Sequence, residues 1–235
     1  MIGYANMALG KSIIETTGTF DGSQFLGTMQ SPTPHMEVTP TAGEIEFSLA
    51  ESGSIQLLAL LGHTLPDDAV VTFSDGTSEL VQITVTSGRP HHIIARLDQS
   101  VAVSDVTINI TNAGSSTVRI AGLWASAAFV PAHGIGLDGY AVTPESFSRV
   151  VYATATPWVS EQSTVDRVSV SLPLLTAEER HVWREIARAQ GTHAPYLVVP
   201  SIDLRESVYG LATGYDAIRP YANTAFRSGF QVQEI

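Results

Sequence analysis

From Glu44 to Leu123 the chain is a succession of short apolar or alternating runs, each closed by turn chemistry. Period-two alternation puts every second side chain on one face of a strand, so such runs build half-buried β-strands rather than helices. Ile45, Phe47 and Leu49 alternate with Glu46 and Ser48. The run Ile55-Gln-Leu-Leu-Ala-Leu-Leu61 has no alternation and reads as a central strand buried on both faces, a pattern that apolar continuity alone shares with a short helix. Pro66-Asp67-Asp68 turns the chain into Val70–Phe73, Asp75-Gly76 is a hairpin-type turn leading to Leu80–Val85, and Gly88-Arg-Pro90 precedes His92–Leu97. Val106, Ile108 and Ile110 alternate with Thr and Asn, and Asn112-Ala-Gly114 leads into Val118–Trp124. Six or more strands in about eighty residues predict an antiparallel sandwich or jelly roll.

The segment Ala127-Ala-Phe-Val-Pro-Ala-His-Gly134 leaves this pattern, and Pro131 and Gly134 mark a domain boundary. Two domains are therefore expected, a β-sandwich over 1–132 and a β-domain over 133–235. In the second, Val168, Val170 and Leu172 alternate with serines in a strand that Pro173 ends. Thr176-Ala-Glu-Glu179 places a hydroxyl at an N-cap with a carboxylate three residues on. Val182, Trp183, Ile186 and Ala187 follow at helical spacing, and Gly191 supplies a stop. This predicts one helix, about 177–190, docked on a sheet through Val182, Trp183 and Ile186. Tyr196–Val199, Val208–Thr213 and Ala225–Val232 are further strands. The fold class is mainly β with that single helix.

Charge narrows the function. Charged residues are only 15% of the chain, with 12 Lys and Arg against 23 Asp and Glu, for a net charge of −11. A groove that tracks phosphates needs clustered cations, so no nucleic-acid partner is expected. No cysteine is present, which removes disulfides, thiolate nucleophiles and thiolate metal sites. The N-terminus has no basic start followed by a sustained apolar run, and nowhere do about 18 apolar residues follow one another, so the reading is a soluble chain without membrane insertion, made in the cytoplasm.

Motifs with chemical meaning are weak. Ala5-Asn-Met-Ala-Leu-Gly-Lys-Ser12 satisfies a relaxed phosphate-loop pattern, but only four residues precede it where a buried strand is needed. His91 and His92 would point to opposite faces of a strand, and His63, His133, His181 and His193 lack carboxylates at ligand spacing, so no metal is expected. Asp67, Asp68 and Asp75 could offer oxygens to calcium, although turn formation is the commoner use of such residues. No Gly-x-Ser-x-Gly elbow or other catalytic constellation appears, so the chain is expected to be no enzyme, with no catalytic residues and no cofactor. Trp124, Trp158, Tyr140 and Tyr152 suit sugar stacking, and core or interface use suits them better. Arg180, Arg184 and Arg188 recur at four-residue spacing on the helix. They read as a solvated face, or as a subunit-contact ridge for an acidic neighbour.

The stretch Leu58-Ala-Leu-Leu-Gly-His-Thr-Leu65 followed by Asp68-Ala-Val-Val-Thr72, then Val106-Thr-Ile-Asn-Ile110 and Arg119-Ile-Ala-Gly-Leu-Trp-Ala125, resembles the discoidin-like or galactose-binding-like jelly rolls of bacteriophage tail proteins. Ser169-Val-Ser-Leu-Pro-Leu-Leu-Thr-Ala-Glu-Glu179, Gly191-Thr-His-Ala-Pro-Tyr-Leu-Val-Val-Pro200 and Val208-Tyr-Gly210 are similar to a tail-associated β-domain with one inserted helix. The resemblance covers most of residues 45–235. It implies a structural component of a long-tailed bacteriophage virion, located in the tail or tail tip and assembled in the host cytoplasm. Such a protein would be distal-tail-like or baseplate-like and ring-forming, with copies of itself and other tail proteins as partners. The alternative reading is a host-surface glycan-binding module of the tail, with Asp67, Asp75 and His91 offered to sugar hydroxyls from the jelly-roll loops.

Overall fold

The structure, a computed structural model, describes residues 1–9, 11–21, 36–86, 92–135, 140–146, 149–153, 156–160, 164–201, 206–222 and 224–234. Among them the first strands are β1 (Ile2–Gly3), β2 (Ile14–Thr17), β3 (Thr19–Asp21), β4 (Met36–Thr39), β5 (Ile45–Leu49), β6 (Gly53–Leu61) and β7 (Val70–Ser74). Next come β8 (Glu79–Thr84), β9 (His92–Val103), β10 (Val106–Thr111), β11 (Val118–Ile120), β12 (Gly122–Ser126), β13 (Ala128–Phe129), β14 (Tyr140–Ser146), β15 (Arg149–Ala153) and β16 (Thr156–Ser160). The chain closes with β17 (Thr164–Leu175), α1 (Ala177–Gln190), β18 (Pro195–Ser201), β19 (Glu206–Tyr215), β20 (Arg219–Ala222) and β21 (Ala225–Glu234).

Two compact units result. One comprises Gly3–Ala128 with Ser201–Ser207, the other Met1–Ile2, Phe129–Pro200 and Val208–Ile235. The sequence reading divides the chain at 132/133, whereas the structural division falls at Ala128/Phe129. Phe129 belongs with the second unit because its ring stacks on Trp183 at 5.6 Å. Met1 joins that unit because its ammonium donates to the Val199 carbonyl at 2.9 Å.

The first unit is a β-sandwich of jelly-roll type. Its larger sheet has the order β2-β5-β10-β7-β8, and its other layer comprises β11-β4-β3 and β12-β6-β9. Alternation decides which side chains face inward. Ile45, Phe47 and Leu49 sit in register with Ile110, Ile108 and Val106, and all six are buried. They join Leu58, Leu60, Ile93, Met36, Val38 and Ile120 from the opposite layer in one apolar core. β6 is the central strand its composition foretold: Leu57 to Leu61 are all buried, between β12 and β9. The outward positions of the larger sheet are polar, with Asn109 donating to Glu46 at 3.1 Å and Gln82 to Thr72 at 3.2 Å. At the end of β6 the chain turns at Gly62, whose φ is +57°. A Cβ there would lie 2.6 Å from the Ala121 Cβ, so glycine answers both the left-handed backbone and the close approach.

The second unit is built on a sheet of order β13-β1-β18-β19-β21-β17-β14, with β20 paired to β21 and β15 paired to β16 separately. Helix α1 starts as its capping box requires: Thr176 Oγ1 accepts from Glu179 N–H at 3.2 Å, and Glu179 Oε2 accepts from Thr176 N–H at 2.7 Å. It ends at Gly191, whose N–H donates to the Ala187 carbonyl. Trp183 is buried among Phe230 at 4.9 Å, Phe129 at 5.6 Å, Tyr215 at 6.4 Å and Tyr196 at 6.5 Å.

Two expectations for this unit need correction. Val182 does not pack on the sheet and is 48% exposed. The buried stripe is Trp183, Ile186 and Gln190, and at about 100° per residue Val182 falls off its edge. Pro173 does not end its strand either. β17 runs through it to Leu175 by way of a register shift between Leu172 and Leu175, and a bulge is where a sheet tolerates a residue with no N–H to donate.

Candidate functional site

The small sheet β11-β4-β3 of the first unit gathers polar side chains on one face. Its inward positions, Val118, Ile120, Met36 and Val38, are buried, so period-two geometry sends the intervening residues outward. Register sets those outward residues in two rows. Arg119 stands opposite Glu37, which stands opposite Asp21. Thr39 stands opposite Thr19, and its hydroxyl lies 3.2 Å from that of Thr117.

Arg119 Nε donates to Glu37 Oε1 at 3.0 Å, and both side chains remain accessible, at 60% and 39%. The loop after β6 closes the edge: Thr64 Oγ1 accepts from Arg119 N–H at 2.9 Å, and Thr64 N–H donates to the Arg119 carbonyl at 3.1 Å. Glu37, Thr64, Thr117 and Arg119 thereby line a shallow recess of about 320 Å³. An exposed ion pair of this kind contributes little to stability, commonly ~0.2–1 kcal/mol. What it does offer is a fixed guanidinium, a fixed carboxylate and flanking hydroxyls, the mixture of donors and acceptors that a polyhydroxylated ligand can pair with.

The loop residues read from sequence are not brought together. Asp67 is exposed in the turn before β7, and Asp75 follows the far end of the same strand, so one small ligand could not engage both. Asp75 serves its own loop. A single oxygen accepts from Ser78 N–H at 2.7 Å, Thr77 Oγ1 at 2.8 Å and Thr77 N–H at 2.9 Å. Those bonds, the one from Ser78 foremost, hold its carboxyl below the usual range. His91 lies outside the described residues. Its neighbour His92 accepts at Nδ1 from Gly62 N–H at 3.1 Å, and His63, buried, accepts at Nδ1 from Leu65 N–H at 3.2 Å. Among the described residues no three His, Asp or Glu side chains gather as a metal site. The phosphate-loop-like stretch is followed by strand β2, where a phosphate loop needs a helix.

On α1 the three arginines are occupied locally. Arg180 lies 4.3 Å over the Phe226 ring, while Arg184 and Arg188 approach Glu185 at 3.6 and 3.4 Å. Glu179 is more constrained than its neighbours. Burial raises its pKa, but the N–H groups of Thr176 and Ala132, helped by His133, more than offset this and leave it below the ordinary value. Tyr196 and Tyr215, 2.9 Å apart at their hydroxyls, are both pushed upward by burial and stay protonated.

No protein-family model matches the chain, and no curated protein matches it. Among solved structures it is similar to a fucose-binding module of Streptococcus pneumoniae, at 10% identity and a TM-score of 0.43, over 53% of this chain and 99% of that one. It is also similar to the lectin domain of Lectinolysin in complex with Lewis b, a His 62 mutant, at 7% identity and 0.44, over 55% and 100%. The family 32 carbohydrate-binding module of S. pneumoniae EndoD matches at 11% identity and 0.39, over 53% and 100%. The sandwich assignment rests on strand order, register and burial in this chain, independently of these likenesses.

Glu37, Thr64, Thr117 and Arg119 escape a reading by local pattern. Their one signal is that each is polar beside residues that are buried, and this says nothing of partners 82 positions apart in the chain.

Proposed function

We propose that this protein is a binding module without catalysis of its own, whose first unit recognises a hydroxyl-rich glycan at the Glu37–Arg119 recess. The observation that carries this reading is the cross-strand ion pair held open to solvent between the Thr64 and Thr117 hydroxyls. Sugars are recognised by such planar charged groups, which pair with adjacent hydroxyls two at a time. A glycan array read with the full chain tests it. At least one host surface polysaccharide should bind saturably, and Arg119→Ala and Glu37→Ala should each weaken it about tenfold or more, as expected when a charge-assisted hydrogen bond is lost. A flat response across the array sinks the reading.

A second reading places the chain in the tail or tail tip of a long-tailed bacteriophage, as a ring-forming structural subunit that carries this module to the host surface. It is supported by the resemblance of Ser169–Glu179, Gly191–Pro200 and Val208–Gly210 to tail-associated domains, stretches that fall on the consecutive elements β17, α1, β18 and β19. Labelling of intact particles with an antibody to the chain decides it: signal at the tail supports the assignment, and particles without signal reject it.

A further inference from the structure

The second unit has a cleft that the recess in the first unit does not explain. It has a volume of about 570 Å³, within the range of about 300–1,000 Å³ typical of small-ligand sites. Ser171, Asp216, Arg219, Tyr221, Arg227 and Ser228 supply its polar lining. β20 folds back on β21 so that Arg219 stands directly opposite Arg227. Cross-strand partners have Cβ atoms about 4.5–5.5 Å apart, and like charges so placed destabilise the pair. Among the described residues neither guanidinium has a carboxylate at ion-pair distance, whereas Lys11, Arg119, Arg184 and Arg188 all do. In a chain with net charge −11, two arginines facing each other with no acid at ion-pair distance leave positive potential for an anion from outside.

Two further features narrow the ligand. The pairing of β20 with β21 shifts register between Pro220 and Ala222, which leaves Tyr221 as the bulged residue, 64% exposed and lining the cleft. A bulge re-aims a side chain in this way, and here it presents an aromatic face and a hydroxyl. Asp216 lines the same cleft and is anchored there: its N–H donates to the Gly229 carbonyl at 2.8 Å, and its carbonyl accepts from Ser228 Oγ at 3.3 Å. Gly229 makes room for it, since a Cβ there would lie 2.6 Å from Asp216 Oδ2. A bare anion such as phosphate would gain from the arginines and be repelled by this carboxylate. A ligand with one carboxylate and several hydroxyls satisfies both ends.

We infer that the Arg219–Arg227 cleft binds a carboxylated sugar, its acid group on the two guanidinium groups, its hydroxyls on Asp216 and its ring against Tyr221. This site is separate from the Glu37–Arg119 recess and stands or falls independently of it.

Titration calorimetry of the full chain tests the inference with galacturonic, glucuronic and N-acetylneuraminic acids as probes. Galactose and glucose serve as neutral counterparts, and inorganic phosphate as a bare anion. At least one acid should bind saturably and about tenfold or more tighter than every neutral sugar and than phosphate. Arg219→Gln, Arg227→Gln and Asp216→Asn should each weaken it by about tenfold. All three side chains are exposed, so the substitutions leave the core intact. Arg188→Gln, which lines neither this cleft nor the recess proposed above, should leave acid-sugar binding unchanged. Binding no tighter than that of the neutral sugars would overturn the inference, as would equal binding of phosphate or parental affinity in the arginine variants.

Discussion

Each unit sets an arginine on the solvent face of an antiparallel strand pair, and the two treat it in opposite ways. On β11 and β4, Arg119 meets Glu37 in register and pairs with it at 3.0 Å. On β20 and β21, Arg219 meets Arg227, and among the described residues neither has a carboxylate at ion-pair distance. The first arrangement is electrostatically complete and can exchange hydrogen bonds with a neutral polyol at small net cost. The second is incomplete by one anion. Because the backbone geometry of a strand pair is common to both, the difference in the ligand chemistry proposed for them comes down to the identity of one cross-strand neighbour.

The largest expected effect concerns what holds the incomplete site in place. Trp183 Nε1 donates to Ser228 Oγ at 3.2 Å, and that hydroxyl in turn donates to the Asp216 carbonyl, so the aromatic core reaches the floor of the cleft. Trp183→Ala should cost about 3–5 kcal/mol in denaturant unfolding, as expected for a buried indole. Unfolding identical to the parent would show that the stack around Phe230 is not the core of this unit.

Next in size is Gly62→Ala in the first unit, expected to cost about 1–3 kcal/mol from the left-handed backbone and the Ala121 contact together. Adding Ala121→Gly should recover only the steric part. Complete recovery would mean that φ at residue 62 carries no strain, and the loop that brings Thr64 to Arg119 would then need another explanation.

The α1 cap sharpens the comparison through pH. Thr176→Ala should cost about 1 kcal/mol. Because the carboxyl of Glu179 titrates lower in the folded chain than in the unfolded one, its contribution is fully present above its unfolded pKa of about 4.5 and is lost as pH falls through the lower folded value. Glu179→Gln should therefore lower the second unit's stability at neutral pH, match the parent at the acid end and so flatten the acid limb. An unchanged acid limb would remove Glu179 from the account.

The smallest effects are the most direct test of the opening contrast. Arg219→Glu should convert the like-charge pair into an opposite-charge pair and stabilise by about 0.2–1 kcal/mol, while Arg119→Glu should do the reverse against Glu37 by a similar amount. Should both changes shift stability in the same direction, cross-strand charge would not be what distinguishes the two sites.

Much of the fold was legible because it is written in local periods. The strands holding Ile45–Leu49 and Val106–Ile110, the two-faced burial of Leu57–Leu61 and the limits of α1 all follow from spacing, capping and turn residues within a few positions of one another. β20 was not legible. All four of its residues are exposed, so no apolar alternation marks it, and only its pairing with β21 makes it a strand. Val182 misled for the complementary reason, since an apolar side chain at nearly helical spacing need not lie on the buried stripe.

What the sequence determined by itself was the class of each element and which face of it would be apolar, because backbone sterics and side-chain period act over one or two turns. Which charges face which was decided only by tertiary structure. Arg119 and Glu37 are 82 residues apart, and Arg219 meets Arg227 through a hairpin whose register shift swings out Tyr221. Register is a property of two strands together, and a shift of one residue would send every one of these side chains to the opposite face.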